Sequence, residues 1–76
     1  MNTGEKKILK KIGEAIKRER ENKKLTQEEL AEKLKLARTT ITRIEAGGIN
    51  IGVLRFVEIA GALNVNASEL LKNSGR

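Results

Sequence analysis

The strongest constraint on the fold is a helix start encoded around Thr26. The Thr26 hydroxyl can accept a hydrogen bond from the backbone amide of Glu29, and the Glu29 carboxylate can reach back to the amide of Thr26. This reciprocal pattern is a capping box. Leu25 before the cap and Leu30 inside the helix have the spacing of a hydrophobic staple, which fixes how the chain enters the helix. The sequence therefore predicts a helix that begins directly after Thr26.

A second short helix follows after a tight turn. The apolar spacing of the first helix breaks at Lys35 and resumes with Ile41 and Ile44, three residues apart. Gly47 can end this second helix in the left-handed conformation. The residues that can form a shared core are Leu30, Leu34, Leu36, Ile41 and Ile44. The pattern predicts two helices packed across a turn.

Polar side chains share the outward face of the second helix. Their spacing at i, i+1, i+4 and i+5 places them together when the isoleucines point inward. These residues are Arg38, Thr39, Thr42 and Arg43. Guanidinium groups match guanine edges or phosphates, and threonine offers a hydroxyl and a methyl that can meet a thymine methyl. The face suits nucleic acid, but a solvated face on any small helical bundle has the same spacing.

Residues 12–71 resemble the phage Cro/repressor family of helix-turn-helix regulators, also called Xre-like regulators. The matching positions are Thr26 to Ala31, Leu34, Leu36, Ile41, Arg43 to Glu45, Gly47, Ile59-Ala60, Ala62-Leu63, Val65 and Glu69 to Leu71. The resemblance implies an all-α fold, a compact five-helix DNA-binding domain of the lambda-repressor-like type. Its helix-turn-helix would cover about residues 27–46 of a single 1–76 domain, with polar tails at about 1–5 and 73–76.

The function implied by this resemblance is sequence-specific binding of double-stranded DNA by a transcriptional repressor or controller. A homodimer would read a palindromic operator through the major groove, with half-sites roughly 34 to 36 Å apart. The base contacts implied are Arg38, Thr39, Thr42 and Arg43, of which Arg43 could instead hold a phosphate. The phosphate contacts implied are Thr26, Gln27, Gly48 and Asn50. A buried structural pair is implied between Arg20 and Glu45.

The chain departs from the family pattern at the turn and the following loop. Lys35 stands where the family usually has glycine, which costs about 1 to 2 kcal/mol if the residue takes a positive φ. Ala37 replaces the usual serine or threonine cap of the second helix and forgoes roughly 1 kcal/mol of capping. Ile51-Gly52 replaces a frequent Pro-Ser before the fourth helix.

Three more helices are expected around the motif. The first should run from about Glu5 to Asn22, with an apolar stripe of Ile8, Leu9, Ile12, Ala15 and Ile16. The fourth carries an apolar stripe of Val53, Phe56, Val57, Ala60 and Leu63. Asn64 should end that helix in the left-handed conformation. The last opens with Asn66 as cap and Glu69 at the capping-box position.

A dimer patch is expected around Ile49, Ile51 and this last helix, although those isoleucines could simply cover the core.

Composition excludes several other classes of function. The chain of 76 residues has room for one domain and contains no cysteine or histidine, so neither a thiolate nucleophile nor a histidine metal site can form. Aspartate and tyrosine are also absent, which leaves glutamate and lysine for acid–base work, and we expect no enzyme, metal or cofactor. No apolar run is long enough to span a membrane, and a cytoplasmic location is expected.

The net charge of +6 is concentrated at the start of the chain. Residues 1–24 carry nine lysines and arginines against four glutamates. This basic surface could be solubilising or could attract phosphates without sequence preference.

Two alternatives to an operator-binding regulator remain open. The same fold could serve as an antitoxin or adaptor that contacts a toxin or RNA polymerase, or as a purely structural bundle. The sequence does not separate a prophage regulator from a restriction-modification controller.

Overall fold

The computed structural model describes residues 3–75, and Met1, Asn2 and Arg76 lie outside the described residues. The helices in that range are α1 (Thr3–Asn22), α2 (Gln27–Leu34), α3 (Arg38–Glu45), α4 (Val53–Ala62) and α5 (Ala67–Ser74). No strand forms between residues 3 and 75, so the predicted all-α class with five helices is confirmed.

The helix boundaries follow from local signals. Both halves of the predicted capping box form at the start of α2, with Thr26 Oγ1 accepting from Glu29 N and Glu29 Oε1 accepting from Thr26 N. Asn64 adopts a φ of 59° just after α4, as expected. The capping box predicted for α5 is wrong, because Asn66 Oδ1 accepts instead from the amide and the hydroxyl of Ser68.

One core joins all five helices. Its buried members are Ala15 and Ile16 of α1, Leu30 and Ala31 of α2, Ile41 and Ile44 of α3, Ile59 and Ala60 of α4, Leu63, and Leu70 of α5. Leu34 and Leu36, which were predicted core residues, are half-buried against this cluster. The helix pair α2–α3 therefore rests on a scaffold formed by α1, α4 and α5.

The segments predicted as polar tails include helical residues. Residues 3–5 already belong to α1, and α5 continues through Ser74, so the proposed tails at 1–5 and 73–76 are partly helical. The last turn of α5 is held by hydrogen bonds, since Arg18 Nη2 donates to the Asn73 carbonyl at 3.3 Å and Ser74 Oγ donates to the Leu71 carbonyl at 2.6 Å. Ser74 is buried as a result.

Three residues of the predicted core stripes are exposed instead. Ile8 is 60% exposed, Val53 82% and Val57 49%. Helix α4 is apolar on several sides, but only the side with Ile59 and Ala60 faces the core. The apolar residues left outside therefore need another explanation than internal packing.

Candidate nucleic-acid interface

Helix α3 separates its side chains into a buried and an exposed side. Ile41, Ile44 and Glu45 are buried toward the scaffold. The exposed side carries the predicted base contacts Arg38, Thr39, Thr42 and Arg43. The structure thus brings these residues together on one accessible surface, which we call the α3 face. Their contact with DNA remains a prediction.

The position of α3 is set by a close approach to α1. A Cβ atom added to Gly13 would lie 2.5 Å from the carbonyl oxygens of both Ile44 and Glu45. Gly47, which follows α3, has a φ of 74°, and a Cβ there would lie 2.7 Å from the Cα of Lys10. Only glycine fits at these two positions, because any side chain would push the C-terminal end of α3 away from α1.

A buried ion pair fixes the same end of α3. Arg20 Nε donates to Glu45 Oε2 at 2.7 Å, and Arg20 Nη2 donates to Glu45 Oε1 at 3.2 Å. Arg20 Nη1 also donates to the Leu25 carbonyl at 2.7 Å, which ties in the segment before α2. The hydrogen bond to Glu45 raises the pKa of Arg20 above its ordinary value, so the guanidinium stays charged. The geometry matches the pair that the family resemblance implied.

Gln27 extends this buried pair to the surface of α3. Its Nε2 donates to Glu45 Oε1 at 3.0 Å, and its Oε1 lies 2.9 Å from Thr42 Oγ1. Because an ionised carboxylate only accepts, the amide nitrogen must face Glu45 and the amide oxygen must face Thr42. The Thr42 hydroxyl is also 3.2 Å from the Arg38 carbonyl. The Thr42 proton is therefore used inside the protein.

The remaining groups on the α3 face differ in how firmly they are held. Arg38 Nε forms an ion pair with Glu28 Oε1 at 3.0 Å, and both side chains are mostly exposed. Within residues 3–75, neither Thr39 nor Arg43 forms a side-chain hydrogen bond or ion pair. The polar groups of these two side chains are therefore all available to an external partner.

The predicted phosphate contacts lie around the ends of α2 and α3. Thr26 is exposed, and its amide and its hydroxyl oxygen take part in the capping box. The Gly48 amide already donates to the Arg43 carbonyl at 2.8 Å, so it would have to give up this bond to hold a phosphate. Asn50 is exposed in the loop that precedes α4. The phosphate role of these residues stays a prediction.

The turn between α2 and α3 has the unusual geometry expected from its sequence. Lys35 adopts a φ of 56° in the left-handed region, where its amide donates back to α2. Ala37 occupies the cap position of α3 without a side-chain hydrogen bond. Lys35 thus occupies the left-handed position for which the resemblance implies glycine, and Ala37 occupies the cap position for which it implies serine or threonine.

Sequence reasoning missed two residues that shape this region. Gly13 looked like an ordinary helix residue, although a glycine inside an apolar stripe is a weak signal for a close helix crossing. No role was predicted for Glu28 beyond its match to the family motif. No local pattern links it to Arg38, because the two residues meet only after α2 and α3 fold together.

Between residues 3 and 75, no cluster of three or more histidine, cysteine, aspartate or glutamate residues is placed to hold a metal ion. In the same range, none of the helices combines the length and the apolar character needed to cross a bilayer.

Comparison with known proteins gives the family. The profile of the helix-turn-helix family matches residues 16–70. The immunity repressor protein of Bacillus phage phi105 is 37% identical over 60 residues, which is 79% of this chain. The chain spans only 42% of the length of that repressor.

Solved structures share the same arrangement of helices. The clp gene regulator ClgR from C. glutamicum superposes with a TM-score of 0.87 over 90% of this chain and 87% of ClgR, at 20% identity, which shows the fold alone. The restriction-modification controller C.AhdI from Aeromonas hydrophila is 32% identical, with a TM-score of 0.78 over 82% of this chain and 94% of its own. The controller C.Esp1396I, solved as a tetramer with its 35 base-pair operator, is 33% identical, with a TM-score of 0.77 over 91% and 96%. This chain therefore belongs to the helix-turn-helix family of transcriptional regulators, of the Xre-like Cro/repressor type.

Proposed function

We propose that this chain regulates transcription by binding an operator sequence in double-stranded DNA, with α3 in the major groove. The observation that carries this proposal is the α3 face. Four side chains suited to bases and phosphates are exposed there, on a helix that Gly13 and the Arg20–Glu45 pair hold in place from behind. DNA as the ligand implies action in the cytoplasm, at the nucleoid.

The side chains of the α3 face are suited to different contacts. The Arg38 and Arg43 guanidinium groups can bind guanine edges in a bidentate manner, and Arg43 can instead reach a phosphate. Thr39 offers a free hydroxyl. The Thr42 hydroxyl is engaged with Gln27, so we propose that Thr42 contributes its methyl group to a thymine rather than a donated hydrogen bond.

Phosphate contacts would come from the start of α2 and the loop after α3. Gln27 uses one N–H for Glu45 and has a second to offer to a phosphate. We place Thr26, Gly48 and Asn50 in the same role, with Gly48 exchanging its internal bond for the phosphate. Such contacts fix the orientation of the protein on DNA and carry no sequence information directly.

A homodimer is needed for useful selectivity. Helix α3 has 8 residues and is therefore about 12 Å long, enough to follow only about three or four base pairs. The longest extent of the described chain is 31 Å, which is shorter than the roughly 34 to 36 Å between successive half-sites. One copy cannot place helices in two half-sites, whereas a two-fold dimer on a palindromic operator can.

Exposed apolar side chains supply a surface for the second copy. Leu54 is 76% exposed, and Val57 and Gly61 lie on the same side of α4 by their spacing. Between residues 3 and 75, the other exposed large apolar residues are Ile8, Val53 and Leu71. Ile49 and Ile51, which the sequence suggested for the dimer, are only half-buried against the core and would contribute at its edge. We propose that the patch centred on Val53, Leu54 and Val57 of α4 joins two copies of the chain.

The names of the similar proteins support the proposal that this regulator is a repressor or a controller. The phage phi105 relative is an immunity repressor, and C.AhdI and C.Esp1396I control restriction-modification systems. The C.Esp1396I structure contains a tetramer on its operator, which supports both the operator and the oligomer in this proposal.

Operator binding is tested by selecting binding sites from random DNA and measuring affinity by mobility shift. We expect a palindromic consensus. Arg38→Ala should lose about 1 to 3 kcal/mol on the selected site and relax the preference at one base position in each half-site. Failure to enrich any sequence would refute the proposal, and an equal loss on random DNA would make Arg38 a phosphate contact.

The dimer is tested by sedimentation equilibrium. Leu54→Glu should yield a folded monomer, because it places a charge in the proposed apolar interface at a position that is 76% exposed in the single chain. Asn22→Glu adds the same charge at an exposed position of α1 and should leave the dimer intact. If the Leu54→Glu variant remains dimeric, the interface does not lie at this patch.

A further inference from the structure

The α3 face contains one ion pair that the proposed function does not explain. Arg38 is the first residue of α3, and Glu28 is the second residue of α2. Arg38 Nε lies 3.0 Å from Glu28 Oε1, with the two side chains 64% and 66% exposed. An acidic side chain beside a proposed DNA contact is unexpected, because it repels phosphates.

The contact with Glu28 involves the inner nitrogen of the Arg38 guanidinium. Glu28 meets the guanidinium at Nε, the nitrogen next to the aliphatic stem. Across residues 3–75, no nitrogen of the Arg38 guanidinium forms a hydrogen bond to another residue, so the contact at Nε is an ion pair without a hydrogen bond and the terminal nitrogens have no partner. The outer edge of the guanidinium, which carries the paired N–H groups that match O6 and N7 of guanine, is thus left open.

The other glutamates nearby have different roles. Glu29 completes the capping box, and Glu45 is buried with Arg20. Glu32 is exposed one turn further along α2, where no ion pair to it is formed within the described part of the chain. Glu28 is therefore the acid placed to act on Arg38.

We infer that Glu28 is a specificity-determining residue that positions Arg38 for a guanine and restrains it on random DNA. This inference rests on the proposed operator binding. On the operator the ion pair persists, and the oriented guanidinium contacts the base with its outer edge. On random DNA the carboxylate offsets the charge of Arg38, so phosphates attract it less. The protein would then discriminate the operator from random DNA through the repulsive Glu28 carboxylate as much as through the contact of Arg38 with guanine.

The test compares Glu28→Gln with Glu32→Gln, which removes the same charge from the same helix without touching Arg38. Affinities for the selected operator and for scrambled DNA of equal length are measured by fluorescence anisotropy over a range of salt concentrations. Circular dichroism melting confirms that both variants are folded.

We expect Glu28→Gln to bind scrambled DNA about two- to fivefold more tightly, the range that an exposed charge pair is worth. Its salt dependence should steepen by up to about one unit of log–log slope. Affinity for the operator should stay the same or fall, so that the ratio of the two affinities drops. Glu32→Gln should preserve the ratio. In an Arg38→Ala background, Glu28→Gln should no longer change the ratio, because no arginine is left to position.

Equal gains on both DNAs would overturn the inference and make Glu28 a general repulsive charge. So would a ratio that changes equally in the Arg38→Ala background. Absence of any sequence preference in the unsubstituted protein would instead refute the proposed operator binding, so the two failures are distinguishable.

Discussion

The Arg20–Glu45 pair allows a quantitative prediction. Arg20→Met keeps much of the side-chain volume but removes three donated hydrogen bonds, two to Glu45 and one to the Leu25 carbonyl. The Glu45 side chain is only 3% exposed, so its charge would stay buried with Gln27 as its one remaining hydrogen-bond partner within residues 3–75. Stranding a buried charge in this way costs about 3 to 5 kcal/mol.

This loss is large for a chain of this size. A chain of 76 residues is expected to have a free energy of unfolding of about 4 to 11 kcal/mol. The melting temperature of Arg20→Met should therefore fall by at least about 12 °C. The double variant Arg20→Met/Glu45→Met leaves no unpaired charge and should recover at least half of the loss.

Urea unfolding followed by circular dichroism is the suitable assay, because the chain has no tryptophan or tyrosine to report by fluorescence. Protein concentration must be held constant, since the proposed dimer would add to the apparent stability. A loss below about 1 kcal/mol for Arg20→Met would refute the reasoning, because that is the value of an exposed pair. Because folding raises the pKa of Arg20, the charged guanidinium stabilises the fold fully at any pH below the ordinary pKa of arginine. This stabilisation is lost only as the pH rises through the raised pKa, so Arg20 should add no pH dependence near neutrality.

Further predictions concern backbone positions, measured as melting temperatures in the Leu54→Glu background to exclude dimer effects. Gly13→Ala should destabilise by about 1 to 3 kcal/mol, because its Cβ would meet two carbonyl oxygens at 2.5 Å. Gly61→Ala is the matched control and should stabilise by about 0.5 to 1 kcal/mol, since nothing lies within 4 Å of its Cβ. Lys35→Gly should stabilise by up to about 1 kcal/mol by relieving the positive φ, and a loss would contradict that geometry. Ala37→Ser should add about 1 kcal/mol by capping α3, and no change would mean that its hydroxyl does not reach the helix amides.

The parts of the fold that sequence predicts well depend on short-range chemistry. The capping box of Thr26 and Glu29 involves residues three apart, so both of its hydrogen bonds lie within one short segment that the sequence shows directly. Asn64 after α4 is likewise a local signal. The α3 face also followed from helix periodicity, once the isoleucines were taken as the inner side.

The parts that sequence does not predict depend on how helices meet. Val53 and Val57 have the spacing of core residues, but α4 has more apolar surface than the scaffold can cover, and spacing alone does not tell which side is covered. The Arg38–Glu28 contact and the close approach at Gly13 are set by the placement of whole helices. Periodicity carries no information about either.

The absence of internal bonds at Thr39 and Arg43, within the part of the chain that is described, bears on how regulators of this kind diverge. Neither side chain takes part in the core or in the Arg20–Glu45 pair, so if α3 binds DNA as proposed, substitutions at these two positions change the preferred operator at little cost in stability. A duplicated gene could therefore acquire a new target through a few surface substitutions while its operator changes in step. Two such paralogues could then work side by side in one cell without binding each other's sites.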